Sequence, residues 1–274
     1  MTYREFSPPP ALAHTVRRVW TFSADFGREY HDDRIVPDGS PELIFHLGAP
    51  YREQDNVGRW RPQASALLAG NLTRPLLLRS TGRVGVLGIR LWPHVVGRFV
   101  KAPVAATLDA RVPLEGRQRK HIEAILQELS GASERNELCA ATVSLVELLS
   151  HNAFEEDTAV AATVRNILAE RGQGQVDCWA QAAGLSARQL ERRMVAATGM
   201  SPKLFASIIR FRAVFDELQK GTPSTWLKAA VDTGYFDQAH MVRAFRRFAG
   251  QPPTEYLRTA GLLSAALIGP SRQK

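Results

Sequence analysis

Two sets of side chains near the C-terminus stand in a matched frame: Arg188, Glu191, Arg192 and Arg193 in one, and Gln238, Ala239, His240, Arg243, Arg246 and Arg247 in the other. Their frame is a pattern written twice. Leu190-x-Arg192-x-Met194-x4-Gly199-x2-Pro202 recurs as Met241-x-Arg243-x-Phe245-x4-Gly250-x2-Pro253, and an Ala four residues before a Gly precedes each copy, at Ala180/Gly184 and Ala230/Gly234. The copies are offset by 50 residues before the turn and 51 after it, so the second turn holds one extra residue. These residue types suit the reading of base edges. Arginine gives two parallel donors to guanine O6 and N7, glutamine pairs with adenine, glutamate accepts from cytosine N4, and an alanine methyl can touch the methyl of thymine. Basic side chains farther along such a helix reach phosphate.

The elements that must hold these side chains are helices. Ser186 stands at an N-cap, with Leu190, Met194 and Ala197 as the buried stripe behind Arg188, Glu191 and Arg192. Asp237 caps the second copy, where Met241, Phe245 and Phe248 form the stripe; Gln238, Ala239, Val242 and Arg243 face outward. Arg188, Arg192 and Arg243 are the expected base readers, Arg193, Arg246 and Arg247 the expected phosphate contacts, and His240 either bonds phosphate or packs. A helix, a Gly turn and a second helix make a helix-turn-helix unit. The helix between the two units, about 17 residues, is roughly 25 Å long, against about 34 Å between successive major-groove segments on one face of the duplex.

Charge follows the same division. Residues 1–158 carry 19 Lys and Arg against 19 Asp and Glu, whereas residues 159–258 carry 14 against 8, and Arg272 and Lys274 follow. The excess of cations thus lies where phosphate would be met. Upstream, residues 16–23, 42–47, 66–69, 76–81 and 84–92 read as short strands between Gly, Pro, Asp and Asn clusters, and a helix starts at Pro93. Helices are expected over 114–129 and 134–149, with Leu138, Leu145 and Leu149 on one stripe. Further helices are expected over 159–170, 176–183, 186–197, 202–219 (stopped by Gly221 and Pro223), 224–233, 237–248 and from 252.

The fold class is therefore α+β, an N-terminal small β-barrel or sandwich with helices followed by a C-terminal all-α double helix-turn-helix. The expected division is an effector-binding or dimerisation domain at 1–151, a linker at 152–158, a DNA-binding domain at 159–260 and a tail at 261–274. The first ten residues lack a basic region followed by an apolar run, no apolar stretch is long enough to span a bilayer, and Cys139 and Cys178 form no C-x-x-C pair. A reduced, cytoplasmic setting is expected, with no membrane.

The C-terminal residues resemble the AraC/XylS family of bacterial transcription regulators, whose DNA-binding module is built of seven helices. The resemblance rests on Ala-Gly-Leu-Ser at 183–186, Leu-x-Arg at 190–192, Thr-Gly-Met-Ser-Pro at 198–202 and Arg-Phe-Arg-Ala at 210–213. It is strongest in Thr-Gly-Tyr-Phe-Asp-Gln-Ala-His-Met-Val-Arg-Ala-Phe-Arg-Arg-Phe at 233–248 and Gly-Gln-Pro-Pro-Thr-Glu-Tyr-Leu-Arg at 250–258. It implies base contacts at Arg188, Glu191, Arg192, Gln238, Ala239 and Arg243. Met194 and Met241 stand where the family commonly has Phe, and Trp179 and Trp226 are larger than its usual residues. The N-terminal part is similar to a poorly characterised sensor-type domain of some members, through Tyr-Arg-Glu-Phe at 3–6, Val-Pro-Asp-Gly-Ser-Pro-Glu-Leu-Ile-Phe at 36–45 and Gly-Asn-Leu-Thr-Arg-Pro at 70–75.

Double-stranded DNA is the expected partner, with a small-molecule effector, RNA polymerase and a second copy of the chain as further candidates; no cofactor or metal and no enzymatic activity are expected. A ligand would sit beneath the turn Asp38-Gly39 or near 71–74. Two rival readings remain. A metal-dependent barrel enzyme would use His14, His31, His46 or His94, with Glu42 on the same strand face as His46. A ligand-free scaffold would dimerise through the Leu138–Leu149 stripe.

Overall fold

The computed structural model describes residues 1–114, 119–129, 135–150, 154–219 and 226–268. The expected helix start at 114–118, part of the 152–158 linker, the stop at Gly221 and Pro223, and residues 269–274 of the tail lie outside or partly outside these residues.

Among the described residues ten strands precede the α-helices: β1 (Thr2–Phe6), β2 (Val16–Asp25), β3 (His31–Ile35), β4 (Glu42–His46), β5 (Arg52–Gln54), β6 (Trp60–Pro62), β7 (Ala66–Ala69), β8 (Leu76–Ser80), β9 (Arg83–Leu91) and β10 (Arg111–Pro113). They pair antiparallel in two sheets, one ordered β1-β2-β9-β4-β7-β10 and the other β3-β8-β5-β6. The five apolar runs read from the sequence are β2, β4, β7, β8 and β9. The other five strands are short or polar, as in His-Asp-Asp-Arg-Ile at 31–35, and gave no alternation to read. After β9 the helix starting at Pro93 is a 3-10 turn, Pro93–Arg98, and a second follows at Val104–Thr107.

Helices α1 (Arg119–Leu129) and α2 (Arg135–Leu149) then cover the larger sheet. Leu138, Leu145 and Leu149 are buried against β-sheet residues including Val19, Leu43 and Ile89. That stripe belongs to the domain's own core, which removes the surface the scaffold reading needed.

The remaining helices are α3 (Thr158–Ala169), α4 (Val176–Ala182), α5 (Ala187–Thr198), α6 (Pro202–Gln219), α7 (Trp226–Asp232), α8 (Gln238–Ala249), α9 (Pro253–Thr259) and α10 (Leu262–Ile268). Their core gathers Leu190 and Met194 from α5, Phe211 and Phe215 from α6, and Met241 and Phe245 from α8, all essentially inaccessible. The last helix lies in the stretch read as a tail. It is docked on the barrel: Leu263 is buried beside Trp20 and Tyr51, and Asp33 Oδ1 on β3 accepts from both the backbone N and Oγ of Ser264 at 3.0 Å.

The metal reading finds no support in the geometry: no group of three or more His, Cys, Asp or Glu suited to a metal occurs among the described residues. Glu42 and His46 do share the face of β4 that lines the barrel cavity, but each is engaged elsewhere. Glu42 Oε1 accepts from Trp20 Nε1 at 3.0 Å and Arg90 Nε at 2.9 Å. His46 Nε2 meets Gln63 Oε1 at 3.2 Å. His14 and His31 are exposed and His94 is buried.

Burial pushes the His46 imidazole down to about 4, partly opposed by Gln63. The unfolded chain takes up that proton near pH 6.5. His46 therefore contributes stability that is complete above pH 6.5 and is lost as the pH falls toward 4, at up to ~1.4 kcal/mol per pH unit. Urea unfolding at pH 7 and pH 5 should show this loss, and His46→Gln should flatten it; an unchanged pH dependence in the variant would remove His46 as the cause.

Candidate nucleic-acid interface

The repeated pattern is a repeated set of backbone bonds. In the first turn Leu185 N donates to Ala180 O and Gly184 N to Gln181 O; in the second, Tyr235 N donates to Ala230 O and Gly234 N to Val231 O. Gly184 and Gly234 lie at φ +66° and +76°, and Gly199 and Gly250, which end α5 and α8, at +76° and +72°. A side chain is strained in this left-handed region, which is why each copy keeps glycine at both places. The extra residue of the second turn is Phe236, between Tyr235 and the cap Asp237, and its side chain is 91% exposed.

The caps are those expected. Ser186 Oγ accepts from Gln189 N at 3.3 Å while Gln189 Oε1 accepts from Ser186 N at 2.9 Å, a reciprocal capping box. Asp237 Oδ1 accepts from His240 N at 2.6 Å. With the apolar stripes buried, the opposite faces are open: Arg188, Glu191 and Arg192 on α5, and Gln238, Ala239, Arg243, Arg246 and Arg247 on α8, are exposed. His240 is half-buried and stands edge-on to the Tyr235 ring at 5.1 Å, so packing is its main role. Arg210, Arg243 and Arg247 line one cleft with His240 and Tyr235 between α6 and α8. Arg210 was not among the residues read from the sequence; it also donates to Gly172 O at 2.6 Å, a bond that no spacing reveals.

Arg193 is tied within the protein. Its Nε and Nη2 each lie 2.6 Å from a different oxygen of Asp157, the residue that caps α3 by accepting from Ala159 N and Val160 N. The Arg193 hydrogen bonds, with help from the helix N–H groups, hold the Asp157 carboxyl below the usual carboxylate range. A guanidinium held by both forks braces α5 against the start of α3.

The barrel grips both units. The C-terminal end of α5 packs on the two 3-10 turns, and Asn71 Nδ2 donates to Thr198 O at 3.2 Å. Arg34 on β3 donates to Ala249 O at the end of α8, and its own carbonyl accepts from Tyr256 Oη at 3.2 Å. Gly39, at φ +74°, sits so close to α6 that an added Cβ would lie 2.8 Å from both Phe205 and Ile209. Both places expected for a ligand reach the barrel cavity, through Asp38 and through Leu72, while Asn71 Nδ2 is directed to α5.

Comparison with known proteins agrees with this build. Residues 179–259 match a helix-turn-helix domain, and residues 4–113 match a domain of unknown function (DUF6597). A segment of 86 residues is 33% identical to the HTH-type transcriptional regulator MtrA of Neisseria gonorrhoeae, covering 31% of this chain and 28% of MtrA. In fold, 88% of the chain is similar to 98% of ToxT from Vibrio cholerae, with a TM-score of 0.51 at 12% identity. It is similar over the same shares, with a TM-score of 0.50, to ToxT bound to (E)-4-(8-methylnaphthalen-1-yl)but-3-enoic acid.

Proposed function

We propose that this chain, whose residues 179–259 match a helix-turn-helix domain, is a sequence-specific DNA-binding transcription regulator of the AraC type with an effector-responsive N-terminal domain. The observation that carries this reading is the open basic face on each of two capped helices whose apolar faces share one core. Helix α6, with 18 residues, spans ~27 Å at 1.5 Å per residue and would hold α5 and α8 for neighbouring major grooves of a modestly bent duplex.

In this reading Arg188, Glu191 and Arg192 meet bases in one groove, and Gln238, Ala239 and Arg243 in the next. Arg246 and Arg247 meet phosphate, and Ser186 and His240 support the helix starts. Residues 1–151 form the effector-binding or dimerisation domain, 152–158 the linker and 159–260 the DNA-binding domain. The largely apolar barrel cavity is the place for a small molecule, and ToxT, similar in fold, is named with a small molecule bound. The protein acts in the cytoplasm, without catalysis, on double-stranded DNA, with RNA polymerase and a second copy of itself as further partners. Among the described residues no helix is long and apolar enough to cross a membrane.

Footprinting on DNA upstream of its own and neighbouring genes tests this reading: two protected major-groove segments about 34 Å apart are expected. Affinity should fall steeply with salt, by about a thousandfold or more between 50 and 200 mM if some six phosphates are engaged. Absence of any protected site, or binding indifferent to salt, would defeat the proposal.

A further inference from the structure

The barrel cavity is walled on the N-terminal side by apolar residues such as Trp20, Ile44, Leu67 and Leu78. Its remaining wall comes from the other end of the chain: Arg212 of α6, Tyr256 of α9, and Leu263, Ser264 and Leu267 of α10. The free space is about 90 Å³, less than the ~150 Å³ cavity that admits benzene. Ligands of ordinary size need roughly 300 Å³ or more, so some part of the wall must move before one can enter. Strands β4 and β9 are bonded on both sides within their sheet and cannot readily do so. Helix α10 is different. It has seven residues and presents Leu263 and Leu267 to the cavity; among its polar ties are those from the Leu263 and Ser264 backbone and the Ser264 hydroxyl to Asp33, from Ser264 to Tyr256, and from Arg212 Nη2 to Leu267 O at 2.9 Å.

The opposite wall holds an open polar position. Gln63 Nε2 donates to Glu53 Oε2 at 2.9 Å, which turns Gln63 Oε1 toward His46 and requires His46 Nε2 to carry the proton. His46 Nδ1 is then an acceptor, and it is buried with no hydrogen-bond partner. Buried acceptors of this kind are normally satisfied.

Resting on the effector reading above, we infer that α10 is a displaceable plug of the barrel cavity. The cavity takes an apolar molecule carrying one hydrogen-bond donor, which replaces Leu263 and Leu267 and leaves its donor on His46 Nδ1. Departure of α10 frees the Asp33 and Arg212 contacts. Asp33 neighbours Arg34, the residue that holds α8 and α9, and Arg212 lies on the helix joining the two units, so cavity occupancy is felt where DNA would be bound.

The test uses the full chain and N-phenyl-1-naphthylamine, a neutral aromatic probe with one amine donor, read by fluorescence and by amide hydrogen exchange. Saturating probe should raise exchange at residues 262–268 about tenfold or more while β4 and β9 keep their protection. Leu267→Ala should bind the probe about tenfold more tightly, because a weaker plug raises the open fraction. Ser264→Ala gives the same reading should Leu267→Ala fold poorly. Probe bound with α10 protection unchanged overturns the plug and leaves the effector reading standing. No binding by either the full chain or the variants overturns both the plug and the cavity as a site, without touching DNA binding, which the footprint reads separately. Exchange that rises everywhere at once is unfolding and also overturns the plug.

Discussion

Replacing Arg192 and Arg243 together by alanine is expected to weaken operator binding by about 2–6 kcal/mol, since each bidentate pair with guanine contributes ~1–3 kcal/mol. The two side chains stand on different helices, α5 and α8, so their losses should add. Each single variant should flatten preference at its own base pair and leave the others intact. Arg246→Ala, by contrast, should weaken all sequences alike and lower the salt slope by about one. Competition with operators carrying single base changes measures both effects. Uniform weakening by Arg192→Ala and Arg243→Ala would mean that they touch phosphate alone.

Phe245→Ala should be the most damaging single change to the fold. The ring is fully buried, edge-on to Phe211 at 4.9 Å and tilted against Phe215 at 5.4 Å. Removing such a ring costs about 3–5 kcal/mol, a large share of the 5–15 kcal/mol that keeps an ordinary domain folded. Because Phe211 and Phe215 lie on α6, the loss loosens the rod as well as α8. Denaturant unfolding should show the drop, and the footprint should lose the segment assigned to α8 first. A cost below about 1 kcal/mol would mean that the core closes over the gap.

The C-terminal helices could be read closely from the amino-acid order because each interval there has a local cause. A cap, a stripe at helical spacing and a glycine forced to positive φ recur within a dozen residues. Most helix starts and ends there differ by a residue from the expected ones, as at both ends of α3, α5 and α8. The barrel was legible only where strands were apolar. Strand β3 escaped because Asp33 and Arg34 serve partners more than two hundred residues away, Ser264 and Ala249, and so break the alternation that marks a strand. The Arg193–Asp157 pair was hidden for a related reason: spacing shows which face of α5 Arg193 occupies, but not that Asp157 closes on that face. Helix α10 was passed over as tail because seven residues are too few to show a period. Arg188, Arg192 and Arg243 are exposed on their helices, and exposure opposite a buried stripe follows from sequence alone.

The grip of β3 on the last three helices bears on how such proteins could be recombined. Cutting at the 152–158 stretch and grafting the C-terminal part onto another sensor would strand Ala249, Tyr256 and Ser264 without their strand partners. A chimera of this kind should fold poorly unless residues 31–40 travel with it, so the unit of inheritance is the pair, not the reader by itself.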